Sequence, residues 1–392
     1  MISKFTFYAS TAMILYVWLG YPLLLWLIQL GVRRPLQRRA FEPPVTLLIA
    51  AYNEADVIVA KIRNALALSY PAEQLEIVIV SDGSRDGTNE LVQQLSRTEG
   101  QGRVRLLALP ENRGKLAALN AGVSQARGHI VVFSDASTML APDSVRRLMT
   151  TFADPRVGAT SGTYRVIKQD DAALGRQESS YWKYETFIRV QESKLGCALG
   201  AHGSLFAVRK DLYPSLPPGT INDDFIIPLR VLQQGFRVAY DPEAIAYEDA
   251  REMEGFARRI RIAAGNVEQL REIPRLLWPP RPLALFCFLS HKGGRLLCPF
   301  AMLALVVSNA FLRSSPLYVD FGLAQAAFYG LAFFGSVARL RPNFLRLPYY
   351  FCMVNLAFFA WLYHALRLQQ LVFSRCDIDR LGRGESVTQI QR

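Results

Sequence analysis

VVFSDASTML, residues 131–140, opens as an apolar run and stops on Ser134-Asp135. A carboxylate ending a buried strand is a common place to hold a metal or a phosphate. A second carboxylate two residues later would complete such a site, but position 137 is serine. The stretch therefore reads as a working site, a degraded one, or a strand ending in a turn, and its neighbours decide. PVTLLIA (44–50), LEIVIV (75–80) and VRLLAL (104–109) are apolar runs of the same kind. Each is followed by helical spacing: residues 54–68, a polar-faced stretch from Asp86 to about Ser96, and one starting near Gly114. HIVVFS (129–134) is in turn followed by a helix near Pro142. Strands alternating with helices predict an α/β fold with a mainly parallel sheet covered on both faces.

In such a sheet, ligands sit beyond the carboxyl ends of the strands. Those ends read Ala51-Tyr52-Asn53-Glu54, Ser81-Asp82-Gly83-Ser84, Glu111-Asn112-Arg113-Gly114-Lys115 and Ser134-Asp135-Ala136-Ser137. Lys115 opens a helix, where backbone N–H groups also favour anions. Helix capping accounts for an Asp86 or an Asp143. It does not account for Asp82 and Asp135 both ending apolar strands, with Lys115 between them in sequence. The first strand is not followed by GxGxxG, which argues against a dinucleotide site.

The formal charge of +12, from 45 basic and 33 acidic residues, would suit nucleic acid, but its placement does not. Residues 5–32, 296–312, 321–338 and 347–366 carry no Asp, Glu, Lys or Arg. The first run exceeds the ~20 residues a bilayer span needs. Basic residues flank these runs: Arg33, Arg34, Arg38 and Arg39, then Lys292 and Arg295, then Arg339, Arg341 and Arg346. The positive-inside rule puts them, and the soluble middle, in the cytoplasm against anionic lipid. The expected organisation is a transmembrane helix in 1–32, a basic linker in 33–43, the soluble domain in 44–275, an interfacial amphipathic segment in 276–295, about three transmembrane helices in 296–367 and a basic tail in 368–392. Four spans would leave that tail outside, against its arginines at 367, 375, 380 and 383. Five cysteines without paired spacing give neither a disulfide framework nor a metal motif.

Seven segments in order resemble the membrane-bound, polysaccharide-forming branch of the family 2 inverting glycosyltransferases, which holds hyaluronan, cellulose and poly-N-acetylglucosamine synthases. They are residues 45–58, 78–88, NRGKLAALNAG (112–122), FSDAST (133–138), GAHGSLFAVRK (200–210), 222–248 and RRIRIAAGN (258–266). The resemblance implies a GT-A fold, Rossmann-like, in a cytoplasmic domain flanked by transmembrane helices at the cell inner membrane. It implies transfer from a nucleotide-sugar donor, a UDP-sugar, to a glycan or lipid-linked acceptor, with Mg2+ or Mn2+ as cofactor and polysaccharide secretion proteins as partners.

By the same resemblance Asp82 holds the nucleotide base, with Ala51, Tyr52 and Glu54 around base and ribose. Lys115 lies at the phosphates, and Asp135 is the acid of the DxD element that positions metal and diphosphate. Asn222-Asp223-Asp224 matches the TED-like element and makes Asp224 the general base, with Asp223 where glutamate is frequent. A helix N-cap pair is the plain alternative there, and both can hold. Arg258 and Arg261 stand in the QxxRW element for Gln and Arg, with Ile262 in place of Trp. A solvated or headgroup-facing helix side is their alternative reading. Gly203 and Ser204 match the acceptor-side loop, whose His202 reads as a locally bonded histidine. Tyr181, Trp182 and Tyr184 read as helix-packing aromatics. Two other functions stay open. One is a non-catalytic membrane scaffold with a degenerate domain, motivated by Ser137 and Ile262. The other is a transporter with a nucleotide sensor, disfavoured by the few ionisable residues within the spans.

Overall fold

A computed structural model of the chain describes residues 1–32, 35–167, 173–217, 219–249, 256–337 and 347–367. Strands β1 (Val45–Ala51), β2 (Leu75–Asp82), β3 (Val104–Leu109), β4 (Ile130–Asp135), β5 (Met139–Leu140), β6 (Val157–Ile167), β7 (Phe206–Arg209) and β8 (Arg237–Asp249) form one sheet. Its order is β3-β2-β1-β4-β7-β6-β8-β5. The first four strands are parallel, as their alternation with helices requires. Residues of opposite parity enter opposite layers: Leu48, Val78, Val80, Val131 and Phe133 in one core, Leu47, Ile49, Ile77, Ile79 and Val132 in the other. A sheet covered on both faces needs apolar side chains at every position, so these strands read as unbroken apolar runs.

Register sets the ligand edge. Ala50 pairs with Asp135 and Ala51 with Ser81, so β1, β2 and β4 end level. Beyond β4 the sheet departs from the parallel pattern. β7 runs antiparallel to β4 and to β6, because the chain enters it through a tight turn in which Leu205 N–H donates to the His202 carbonyl (3.0 Å). Asp143, expected as a cap, stands at the N-cap of Ser144–Phe152, but its carboxylate accepts from Arg147 instead.

Three helical stretches are long and apolar enough to cross a membrane: Ile2–Gly31, Pro282–Ala310 and Pro316–Ser336. The expected boundary at 295/296 is absent. Residues 282–295 run without a break into the helix ending at Ala310, because a wide π-type turn at Phe288–Gly293 keeps the axis continuous. Leu347–Tyr363 is a shorter apolar stretch within the helix Leu347–Arg367. Leu19, Leu23 and Leu27 of the first helix stay exposed, as do Leu297, Leu303 and Val307 of the second and Phe333 and Phe334 of the third. Outward apolar surface on this scale marks a membrane-facing side.

The apolar helices meet the sheet domain through buried charge. Glu192, on the helix Ala173–Lys194, accepts from the Tyr21 hydroxyl (2.7 Å) and the Leu199 N–H (3.1 Å), and bonds His291 Nδ1 (2.8 Å). Glu185, two turns earlier on the same helical face, pairs with Arg295 (2.5 Å) and approaches His291 Nε2 (3.5 Å). Tyr184 stacks on Trp18 and donates to its carbonyl, the packing role expected of it. The side chains of Tyr181 and Trp182 lie outside the described residues. Removing one member of a buried ionic cluster leaves its partners unpaired and desolvated. Glu192→Leu is therefore expected to destabilise the protein by about 3–5 kcal/mol. Thermal unfolding in detergent checks this, and a transition within a degree of the parent would refute it.

Candidate active site

Four chain segments converge on the ligand edge. β4 delivers Asp135. The helix Lys115–Gln125 begins with Lys115, whose Nζ lies 2.6 Å from Asp135 Oδ1. The helix Asp223–Gln233 begins with Asp223 and Asp224. Gly203 completes the set: a Cβ there would lie 3.6 Å from Oδ2 of both Asp135 and Asp224 and 3.7 Å from Lys115 Nζ. The open volume at Gly203 is thus bounded by two carboxylates and an ammonium. Gly203→Val is expected to fill it, reducing turnover at least tenfold while leaving the melting temperature near that of the parent. An assay of nucleotide release beside a melting curve checks this.

The electrostatics are strongly coupled. Burial opposes the charge of Lys115, but Asp135, Asp223 and Asp224 outweigh it and hold the ammonium above the usual lysine range. Burial and the neighbouring Asp223 push the Asp224 carboxyl up to about 6, with Lys115 and Arg189 opposing. A carboxylate that titrates near the working pH suits a general base. Asp223 is buried, and its Oδ2 finds no hydrogen-bond partner among the described residues. Such an orphaned acceptor inside a charged pocket is suited to a ligand's donor or cation.

Asp82 is 3% exposed, and its oxygens accept the N–H groups of Arg113 (2.9 Å) and Gly114 (2.8 Å). Its observed work is to fix the loop that presents Lys115. The loop after β1 is stitched to the loop after β2: Asn53 N–H donates to Ser84 Oγ, Glu54 N–H to Thr88 Oγ1, and Ala55 N–H to Asp86. Ala51 is buried beneath this seam and Tyr52 lies open at 49% exposure. Asn53 and Asn222 both hold positive φ, 54° and 57°. Backbone strain of this sort collects at functional sites, and here one instance lies at each side of the edge.

Ser204 is buried, and its carbonyl accepts from the Ser134 hydroxyl (2.8 Å). His202 is buried as well. Its N–H donates to Ser161 Oγ (3.0 Å), 41 residues away in sequence rather than local, and its ring meets Tyr164 edge-on. The side chains of Arg258 and Arg261 lie outside the described residues. Their helix, Phe256–Glu268, abuts the Asp223–Gln233 start. A Cβ on Gly265 would fall 2.3 Å from the Asn222 side chain, and Glu268 accepts the Ile221 N–H. Two further residues belong here that sequence reasoning missed: Lys61 below β4 and Arg189, which donates to the Gly200 carbonyl (3.4 Å).

For Mg2+ or Mn2+, hard cations that take about six oxygen ligands, the residues fit in part. Asp135 Oδ2 faces the open volume while Oδ1 engages Lys115. Among the described residues no three His, Cys, Asp or Glu side chains form a metal cluster.

Residues 46–216 match the model of the Glycosyl transferase family 2 domain. The chain is 31% identical over 233 residues to the poly-beta-1,6-N-acetyl-D-glucosamine synthase of Staphylococcus aureus strain MSSA476, covering 58% of this chain and 55% of that protein. It is 28% identical over 216 residues to an N-acetylglucosaminyltransferase of Rhizobium leguminosarum bv. viciae, covering 52% and 50%. The chain thus spans about half the length of the curated relatives it matches. Among solved structures, a mannosyltransferase from Pyrobaculum calidifontis, in complex with GDP-Man and Mn2+, superposes with a TM-score of 0.67. It covers 90% of this chain and 98% of its own at 24% identity. That likeness establishes the expected GT-A fold.

Proposed function

We propose that this chain, whose residues 46–216 match the Glycosyl transferase family 2 model, is a membrane-bound inverting glycosyltransferase. It moves a sugar from a nucleotide donor, UDP-linked, to a hydroxyl of a glycan or lipid-linked acceptor during synthesis of an envelope or exported polysaccharide. The observation that carries the reading is the convergence of Asp135, Lys115 and Asp224 on the open volume at Gly203.

In this reading the nucleotide lies over Ala51, Tyr52 and Glu54, with Asp82 shaping the base site through the loop it holds. Lys115 meets the diphosphate, where its ammonium offsets the charge of the leaving group. Asp135 would hold the Mg2+ or Mn2+, which would supply further charge neutralisation at the diphosphate. Asp224 takes the proton of the acceptor hydroxyl as its oxygen bonds C1 and the bond from C1 to the diphosphate breaks. Asp223 adjoins the base, Gly203 and Ser204 border the acceptor, and Arg258 and Arg261 serve the diphosphate from the helix Phe256–Glu268.

The membrane arrangement follows from charge. With three spans at Ile2–Gly31, Pro282–Ala310 and Pro316–Ser336, the positive-inside rule supports a cytoplasmic sheet domain at the inner membrane. Helix Leu347–Arg367 packs through Phe358 and Trp361 on Ala263 and Val267, and through Phe351 and Phe358 on Trp18, Phe328 and Phe300 of the three spans.

A donor panel of UDP-N-acetylglucosamine, UDP-glucose and GDP-mannose tests the function on purified protein in detergent with Mn2+. Release of nucleoside diphosphate from one donor is expected. Nucleotide binding without release across the panel would replace the enzyme with the scaffold reading.

A further inference from the structure

Lys61 lies on the helix Ala55–Leu66 and is 0% exposed, on the same buried stripe as Ile58, Ile62 and Ala65. Its Nζ donates to the Ser134 hydroxyl (2.7 Å) and to the Thr138 carbonyl (2.5 Å). These two residues bracket Asp135, and the turn between them closes through Thr138 N–H on the Asp135 carbonyl (3.3 Å). The Ser134 hydroxyl in turn donates a hydrogen bond to the Ser204 carbonyl (2.8 Å), next to Gly203. One buried ammonium thus clasps both ends of the Asp135 turn and reaches, through one hydroxyl, the loop that faces it.

Stability does not account for this lysine. Its contacts are a hydroxyl and a carbonyl, with no carboxylate in ion-pair range among the described residues, and burial drives its pKa down to about 7 although the Asp135 charge opposes that. A buried charge without a paired counter-charge destabilises a fold, and an apolar side chain of similar volume is often the more stable choice. Destabilising features that break local rules collect where function requires them.

We propose that Lys61 is a positioning residue for the transfer reaction, holding the Asp135 turn and the Gly203–Ser204 loop in mutual register from beneath the sheet. The inference rests on the glycosyltransferase reading. It locates part of what lets a single carboxylate serve where position 137 is serine. The turn is pinned by a cation below rather than by a second acid above.

The test uses the full chain in detergent with Lys61→Met, Ser134→Ala and the double variant. Three quantities are read: melting temperature, Mn2+ affinity in the presence of UDP by calorimetry, and donor turnover. Lys61→Met is expected to melt at or above the parent temperature. Its Mn2+ affinity should weaken at least fivefold and kcat should fall at least tenfold, while UDP affinity without metal stays within twofold, because the base site lies on the other loops. Ser134→Ala should weaken Mn2+ in the same direction, and the double variant should be no worse than the poorer single, as members of one network are non-additive. A lowered melting temperature that accounts for the lost activity, unchanged Mn2+ affinity, or additive losses would each overturn the proposal. Parent protein that turns over no donor would instead overturn the glycosyltransferase reading, and the calorimetric comparison would still read the turn.

Discussion

Asp224→Asn is expected to reduce nucleoside diphosphate release by about 10³-fold, within the ~10²–10⁴ that general base catalysis contributes. The amide is isosteric and cannot accept the acceptor proton, so donor affinity should change little. Stability should move the other way. The Asp224 pKa in the fold is about 6, raised from 3.8 first by burial and then by Asp223. The folded state therefore binds this proton more tightly than the unfolded chain. Its stabilising contribution is fully present below about 4 and is lost as pH rises through about 6. Above that the ionised carboxylate is a burden on the fold, so the asparagine variant should melt at or above the parent temperature at pH 8. The same value fixes the rate profile: kcat/KM should fall tenfold per unit below about pH 6. Asp223→Asn removes a neighbouring charge that raises Asp224 and should move this limb to lower pH while activity persists. Full turnover in Asp224→Asn, or loss only in Asp223→Asn, would transfer the base elsewhere.

The strands that carry this site were legible because each is covered on both faces and reads as an apolar run ending in a polar loop. Asp82, Lys115 and Asp135 could be placed at the edge for that reason, whereas Asp224, at the start of a helix, came from the family resemblance alone. Their pairings could not be placed. That Asp82 bonds the backbone of Arg113 and Gly114, and that Gly203 stands between acid and base, depend on the register of strands distant in sequence. The antiparallel strand between β4 and β6 was illegible because β7 has only four residues. The buried ions were missed for another cause. Periodicity finds a core stripe by its apolar residues, whereas Lys61 stands on such a stripe three residues after Ile58. Glu185, Ile188, Arg189 and Glu192 likewise form a buried helical face that is mostly charged. A lysine at an i, i+3 core position was the available signal, and it is read only by asking which polar residues share the apolar phase.

Asp135→Asn is the second large effect, an expected loss of about 10²-fold or more in turnover with a matching loss of Mn2+ dependence. A divalent ion contributes several kcal/mol to a transition state that gathers charge, and each ~1.4 kcal/mol is tenfold in rate. Asp135 serves that ion and Lys115 at once, with Oδ1 on the ammonium and Oδ2 facing the open volume. An asparagine keeps the shape and removes the charge from both. Lys115 should remain protonated, since Asp223 and Asp224 also hold its charge, so the variant should still bind UDP but respond weakly to metal. Ser137→Asp tests the converse. A carboxylate there is a far better ligand for a hard cation than a hydroxyl, and the Mn2+ concentration for half-maximal activity should fall several-fold with kcat retained. Chelator decides between the two ways one carboxylate can suffice. If the ion is shared with the diphosphate, EDTA should abolish release in the parent and Mn2+ should restore it. Full activity in EDTA would leave Lys115 and the arginines of Phe256–Glu268 as the sole counter-charges to the leaving group, and Asp135 as no more than the anchor of Lys115.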